Sequence, residues 1–136
     1  MPDPKCPFQL PVINGTFGCK LAQAVTVRNA PQIHCRSDPA LERCRRVYHR
    51  LKSVGLAVFG AEDDPAKTPH GTYLKIQCGG LLGLQADVAP GNAVTDIDAL
   101  LETATEGGTR IDHLPYSDLT QSMLGYKPPR RRDRPR

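Results

Sequence analysis

The chain has 136 residues, with 18 Lys+Arg against 14 Asp+Glu, and its net charge of +4 is unevenly spread. The last ten residues, KPPRRRDRPR, hold six cations and one anion; residues 20–52 hold eight cations and two anions; residues 53–126 hold three cations and ten anions. This length suits one domain that folds without disulfides, no apolar run approaches the roughly 18 residues of a membrane span, and the opening MPDPKCPFQLPVING lacks the regions of a signal peptide, so a cytoplasmic location is expected.

Residues 1–18, with four prolines and the turn Asn14-Gly15, read as an extended arm closing in a turn. Cys19 to Ala24 is compatible with a helical turn, Ala24 to Arg28 alternates like a short strand, and Pro31 ends the stretch. A helix is expected from Pro39 to Val54, because Ser37 or Asp38 can cap it, Pro39 suits its first turn and Gly55 stands just beyond. Its apolar stripe runs through Leu41, Cys44, Tyr48 and Leu51, and the opposite side carries Arg43, Arg46, Arg50 and Lys52. The acidic turn AEDDP follows and, without the spacing of a calcium loop, reads as solvated. Thr72 to Cys78 alternates as a strand, Gly79-Gly80 breaks it, and LLGLQADV could return as its partner. A second helix should run from Asp96 to about Glu106, capped by Thr95, and a last one from Ser117 to Gly125. Together these predict a single α+β domain over residues 1–126: a short sheet, two to three packed helices and an extended N-terminal arm. Residues 127–136 form a basic tail without apolar residues, expected to be disordered.

Five cysteines in a reducing compartment argue against a disulfide framework. Cys6, Cys19, Cys35 and Cys44 fall within the first 44 residues, with 12, 15 and 8 residues between them, while Cys78 lies far off on an expected core face. The arm, the Gly18 turn and the segment before the Pro39 helix can each aim a thiolate, and Cys44 points inward from that helix. The four therefore form a candidate ligand set for an iron–sulfur cluster, held by soft anionic donors. Zinc is the alternative metal, although no CxxC pair occurs. Buried or regulatory thiols are the plainer reading, because free cysteine is often a core residue. Cys19 with His34 as base would make a nucleophile, but no catalytic motif accompanies the pair.

The cationic helix face of Arg43, Arg46, Arg50 and Lys52 suits docking of an acidic redox protein or a larger redox enzyme. A slightly acidic body without a recognition motif argues against nucleic acid. The run NGTFGCKLAQAVTVRNAPQIHCRS, followed by RC, the DD of AEDDP and KIQCGGLLGLQ, resembles small uncharacterised proteins of bacterial redox gene neighbourhoods, including those of nitrogen-fixing organisms. The resemblance spans residues 14 to about 85 and implies electron transfer without assigning ligands. The expected function is thus a small iron–sulfur electron carrier or accessory redox subunit. A cofactor-free adaptor and a thiol-based redox sensor are the alternatives.

Overall fold

Ser37 starts the longest helix of the computed structural model, which describes residues 4–86 and 93–127. Its hydroxyl accepts the Ala40 N–H at 3.3 Å, Pro39 occupies the first turn, and the helix α2 runs Asp38–Phe59 until Gly60 ends it at φ 64°. The expected stop at Gly55 does not occur. A side chain there would meet Ile76 Cγ1 at 2.6 Å, so Gly55 is a point of close helix contact.

Upstream, Gln9–Ile13 forms a short helix α1 within the arm, and the antiparallel strands β1 (Ala22–Val27) and β2 (Ala30–Cys35) make a hairpin. Arg28 and Asn29 both have positive φ, 52° and 66°, as a two-residue hairpin turn with the twist of its strands requires. Pro31 does not end this region. It pairs with Thr26 near the start of β2, ahead of the stretch where the arm joins. There Cys6 N–H donates to Ile33 O and Cys35 N–H to Pro4 O, each at 2.8 Å, so the arm lies along β2 beside His34.

The fold is α+β, as expected, but its sheet is this hairpin and not the segment around Thr72. His70–Gln85 is a helix, α3, which replaces both the strand expected at Thr72–Cys78 and, through Gln85, its expected partner. The apparent alternation arose because α3 is enclosed by several elements at once: Leu74, Ile76 and Cys78 are buried, and so are Gln77, Leu81 and Leu84. Gly79 and Gly80 are contact points, not breaks. A Cβ on Gly79 would lie 2.4 Å from Met123 Cα, so the lack of a side chain lets α3 press against helix α5, Tyr116–Gly125. Helix α4, Ile97–Ala104, starts after Asp96 and buries Ile97, Leu100 and Leu101. Among the described residues no helix is long and apolar enough to cross a membrane. Of the basic tail only Lys127 is described; the expectation of disorder lies outside the described residues.

Candidate functional site

Four separate elements each bring one cysteine to the same small cavity. Cys6 comes from the arm, Cys19 from the turn before β1, Cys35 from the end of β2 and Cys44 from the second turn of α2; all four line it. Its volume is about 20 Å³ as the side chains stand, and Leu21, Ala22 and Leu41 make much of the rest of its wall. No disulfide joins them. Cys78 is fully buried on α3 and hydrogen-bonded to the Tyr126 hydroxyl, and does not line this cavity.

The position of Cys19 depends on a backbone clasp. Gly18 N–H donates to Val94 O at 2.9 Å and Gly18 O accepts from Ile97 N–H at 2.8 Å, which fixes the Gly18 segment to the start of α4. A Cβ on Gly18 would stand 2.9 Å from Thr95 O, so only glycine fits this approach. The clasp turns the backbone amides of Asp98 and Leu21 toward the Cys19 sulfur. Asp98 N–H belongs to the first turn of α4, where it has no partner within the helix. The amide of Phe8 serves Cys6 in the same way. Cys35 Sγ donates to Ser37 O at 3.4 Å.

Burial pushes the Cys6 thiol up to about 12 and the Cys44 thiol up to about 11, against the opposing hydrogen bonds. Burial also raises Cys19. Neighbouring charge further discourages ionisation of Cys6, through Cys44, Cys19 and Cys35, and of Cys19, through Asp96 and Asp98, whereas the Arg43 guanidinium favours the Cys44 thiolate. Without a cation Cys6, Cys19 and Cys44 are thus held as neutral thiols near neutral pH. A metal centre would displace their protons.

Arg43 requires a correction. The helical pattern put it on the solvent side with Arg46, Arg50 and Lys52, yet it is 7% exposed and lies beside the cavity. Its Nη2 donates to Asp98 Oδ1 at 2.6 Å and stands 3.7 Å from Cys44 Sγ, while Nη1 donates to Glu102 Oε2 at 2.8 Å. Burial works against its charge, and the hydrogen bonds to Asp98 and Cys44 together with their charges outweigh it, so the guanidinium stays ionised. Lys20 adds a second cation to Asp98 at 2.8 Å. Arg43 Nε is buried and has no hydrogen-bond partner among the described residues. Two features of the sequence bear on this in hindsight, Arg43 adjoining Cys44 and an acidic first turn on the next helix, but neither reveals which way the guanidinium turns.

Comparison with protein-family models, with curated proteins and with solved structures finds no match. The chain's chemistry is therefore read from its own residues.

The other positions singled out in the sequence fall around this centre or away from it. Arg46 and Arg50 are exposed and share Asp112, at 3.6 and 3.1 Å, and Lys52 pairs with Asp63 at 3.0 Å. The cationic face is consequently part neutralised by acids from elsewhere in the fold. His34 lines the cysteine cavity, and its Nε2 is hydrogen-bonded to Gln32 Oε1 at 3.2 Å. The acidic turn is engaged structurally: Asp64 Oδ1 accepts from Ala66 N–H, Glu62 pairs with Lys67, and Asp63 accepts from Tyr73. Among the described residues, no three His, Cys, Asp or Glu side chains stand close enough to hold a single metal ion.

Proposed function

We propose that Cys6, Cys19, Cys35 and Cys44 ligate an iron–sulfur cluster and that the protein is an electron carrier or accessory redox subunit. The observation that carries this reading is the gathering of four thiols from four elements around one cavity, with no fifth cysteine among them. Their surroundings suit an anionic centre. Backbone N–H groups point at two of the sulfurs, a buried guanidinium stands beside a third, and the unpartnered Arg43 Nε supplies a further donor. Hydrogen bonds to sulfur and low solvent exposure are the features by which a protein tunes a cluster's potential.

Zinc would need the sulfurs drawn to about 2.3 Å from one point, closer than any three such ligands stand among the described residues. A sulfide-bridged iron core accepts a wider ring of thiolates. Seating it requires the cysteine side chains to turn outward from the present cavity of about 20 Å³. The bound core would supply one-electron chemistry. The chain's own contribution is burial, orientation of the thiolates, and charge. Arg46 and Arg50, exposed on the far side of α2, offer an acidic partner a first contact.

Anaerobic purification with visible absorption, EPR and iron, sulfide and zinc analysis tests this. Serine at position 6, 19, 35 or 44 should each abolish the chromophore, and Cys78→Ser should leave it. A folded, colourless, metal-free protein with five titratable thiols would point instead to a cofactor-free adaptor. Bleaching by Cys78→Ser alone would overturn the ligand set.

A further inference from the structure

A second, larger cavity opens on the other side of Cys6. This cleft, of about 650 Å³, lies between the arm with α1, the middle of α2 and the start of α3, and Cys6 and Pro7 line both it and the cysteine cavity. Its size is that of sites that take small organic ligands.

Its charges do not balance. Among its described lining residues Arg45 and Lys52 face one carboxylate, Asp63, and that carboxylate is engaged by Lys52 at 3.0 Å. Arg45 is half-buried and makes no ion pair or hydrogen bond among the described residues, unlike Arg43, Arg46 and Arg50 on the same helix. A guanidinium is a flat fork of donors suited to carboxylate or phosphate.

The floor adds an independent observation. Gln77 is 4% exposed and lines the cleft; its amide group lies against the Tyr48 hydroxyl, while its Oε1 is buried without a hydrogen-bond partner among the described residues. A buried acceptor left unsatisfied destabilises the fold and calls for an explanation. Tyr48 and Leu10 also line the cleft and offer it apolar surface.

We propose that this cleft binds a small organic oxyanion: a carboxylate or phosphate held by Arg45, an aromatic-sized body against Tyr48, and a hydroxyl or amino group meeting the Gln77 amide. The ligand would rest against Cys6, the one cysteine common to both cavities. Binding does not depend on the metal reading, because neither Arg45 nor Gln77 lines the cysteine cavity.

The full-length chain is titrated calorimetrically with 4-hydroxybenzoate and with phenyl phosphate, which separate the carboxylate from the phosphate source. Benzoate, lacking the hydroxyl, and 4-hydroxybenzyl alcohol, lacking the charge, are the comparisons. Saturable binding of at least one oxyanion probe is expected. The neutral alcohol and Arg45→Gln should each weaken it roughly tenfold or more, and benzoate should bind more weakly than 4-hydroxybenzoate. Gln77→Met should erase that last difference; where this variant melts early, the comparison in the wild-type chain stands in its place. Failure of both oxyanion probes to bind, equal binding of the neutral alcohol, or an Arg45→Gln variant with unchanged affinity and an intact circular dichroism spectrum overturns the proposal.

Discussion

Replacing Arg43 with methionine isolates the charge network beside the cysteines. The change keeps an apolar stem of similar length and removes the guanidinium, leaving the Asp98 carboxylate, 12% exposed at its side chain, with Lys20 as its remaining cationic partner. Breaking a buried pair costs about 3–5 kcal/mol when the remaining charge is stranded. Lys20 reduces that penalty, but its side chain is 60% exposed and the pair is correspondingly screened. Loss of the contact to Glu102, itself 61% exposed, adds little. The expected destabilisation is therefore about 2–4 kcal/mol. In urea, under reducing and metal-free conditions, that is a midpoint lowered by roughly 1–3 M at an unchanged slope. Removing both charges in Arg43→Met/Asp98→Leu should recover most of the loss, because neither group is then left unpaired.

The pH dependence has a definite sign. Burial alone would raise the Asp98 carboxyl, and Lys20 and Arg43 outweigh it to hold it below its ordinary 3.8. The stability it contributes is present above about pH 4 and lost as pH falls below that value. In Arg43→Met the stranded carboxylate is relieved by protonation, so the deficit should shrink on acidification through pH 4. A variant within about 0.5 kcal/mol of wild type at pH 7, an additive double mutant, or a deficit that does not change with acid would refute the reasoning.

The metal-free protein should lose stability above pH 9, because the fold keeps Cys6, Cys44 and Cys78 neutral to about 12, 11 and 11 while the unfolded thiols ionise near 9.0. By pH 10 each can account for up to about 1.4 kcal/mol; urea midpoints across pH 8.5–10 measure the decline, and Cys44→Ala should flatten it. Two glycines of α3 should respond to alanine with opposite signs. Gly79→Ala drives a Cβ into Met123 and should cost roughly 1–3 kcal/mol, whereas Gly71→Ala meets nothing within 4 Å and should stabilise the fold by a few tenths to about 1 kcal/mol, read as a higher thermal midpoint. Gly18→Ala should force the Cys19 segment away from Thr95 and from the Asp98 amide. In metal-free protein this should speed alkylation of Cys19 by iodoacetamide several-fold, followed by peptide mapping; an unchanged rate would mean the clasp does not hold the thiol.

Helices whose boundaries are written in local chemistry were legible in the sequence. Ser37 and Pro39 mark the start of α2, and the spacing of Leu41, Cys44 and Leu51 marks its buried side. The α+β class was legible too, but its sheet was assigned to the wrong segment. A helix surrounded on most sides loses the one-sided pattern that distinguishes 3.6-residue from 2-residue periodicity, so Leu74, Ile76 and Cys78 looked like a strand. Gly55, Gly79 and Gly80 looked like punctuation because close approach to Ile76 and Met123 is a property of the assembled fold. At the candidate site, the placement of Cys6, Cys19, Cys35 and Cys44 allowed them to be considered together. The inward turn of Arg43 was not legible, since Asp98 lies 55 residues away in sequence. Nor could spacing reveal the cleft, whose Arg45 and Gln77 come from different helices.

The length of α2 separates two kinds of tolerance. Cys44 faces the thiol cavity near one end, and Gly55, eleven residues later, faces the glycine-dependent helix contacts. At about 1.5 Å per residue the two lie roughly 16 Å apart along the helix, beyond the range at which substitutions usually couple. The helix therefore acts as a spacer: its C-terminal half carries the glycine-dependent contact at Gly55, while its N-terminal half carries Cys44 and the Arg43–Asp98 pair. Cys44 could be changed to serine, histidine or alanine with the contacts around Gly55 as a constant structural background.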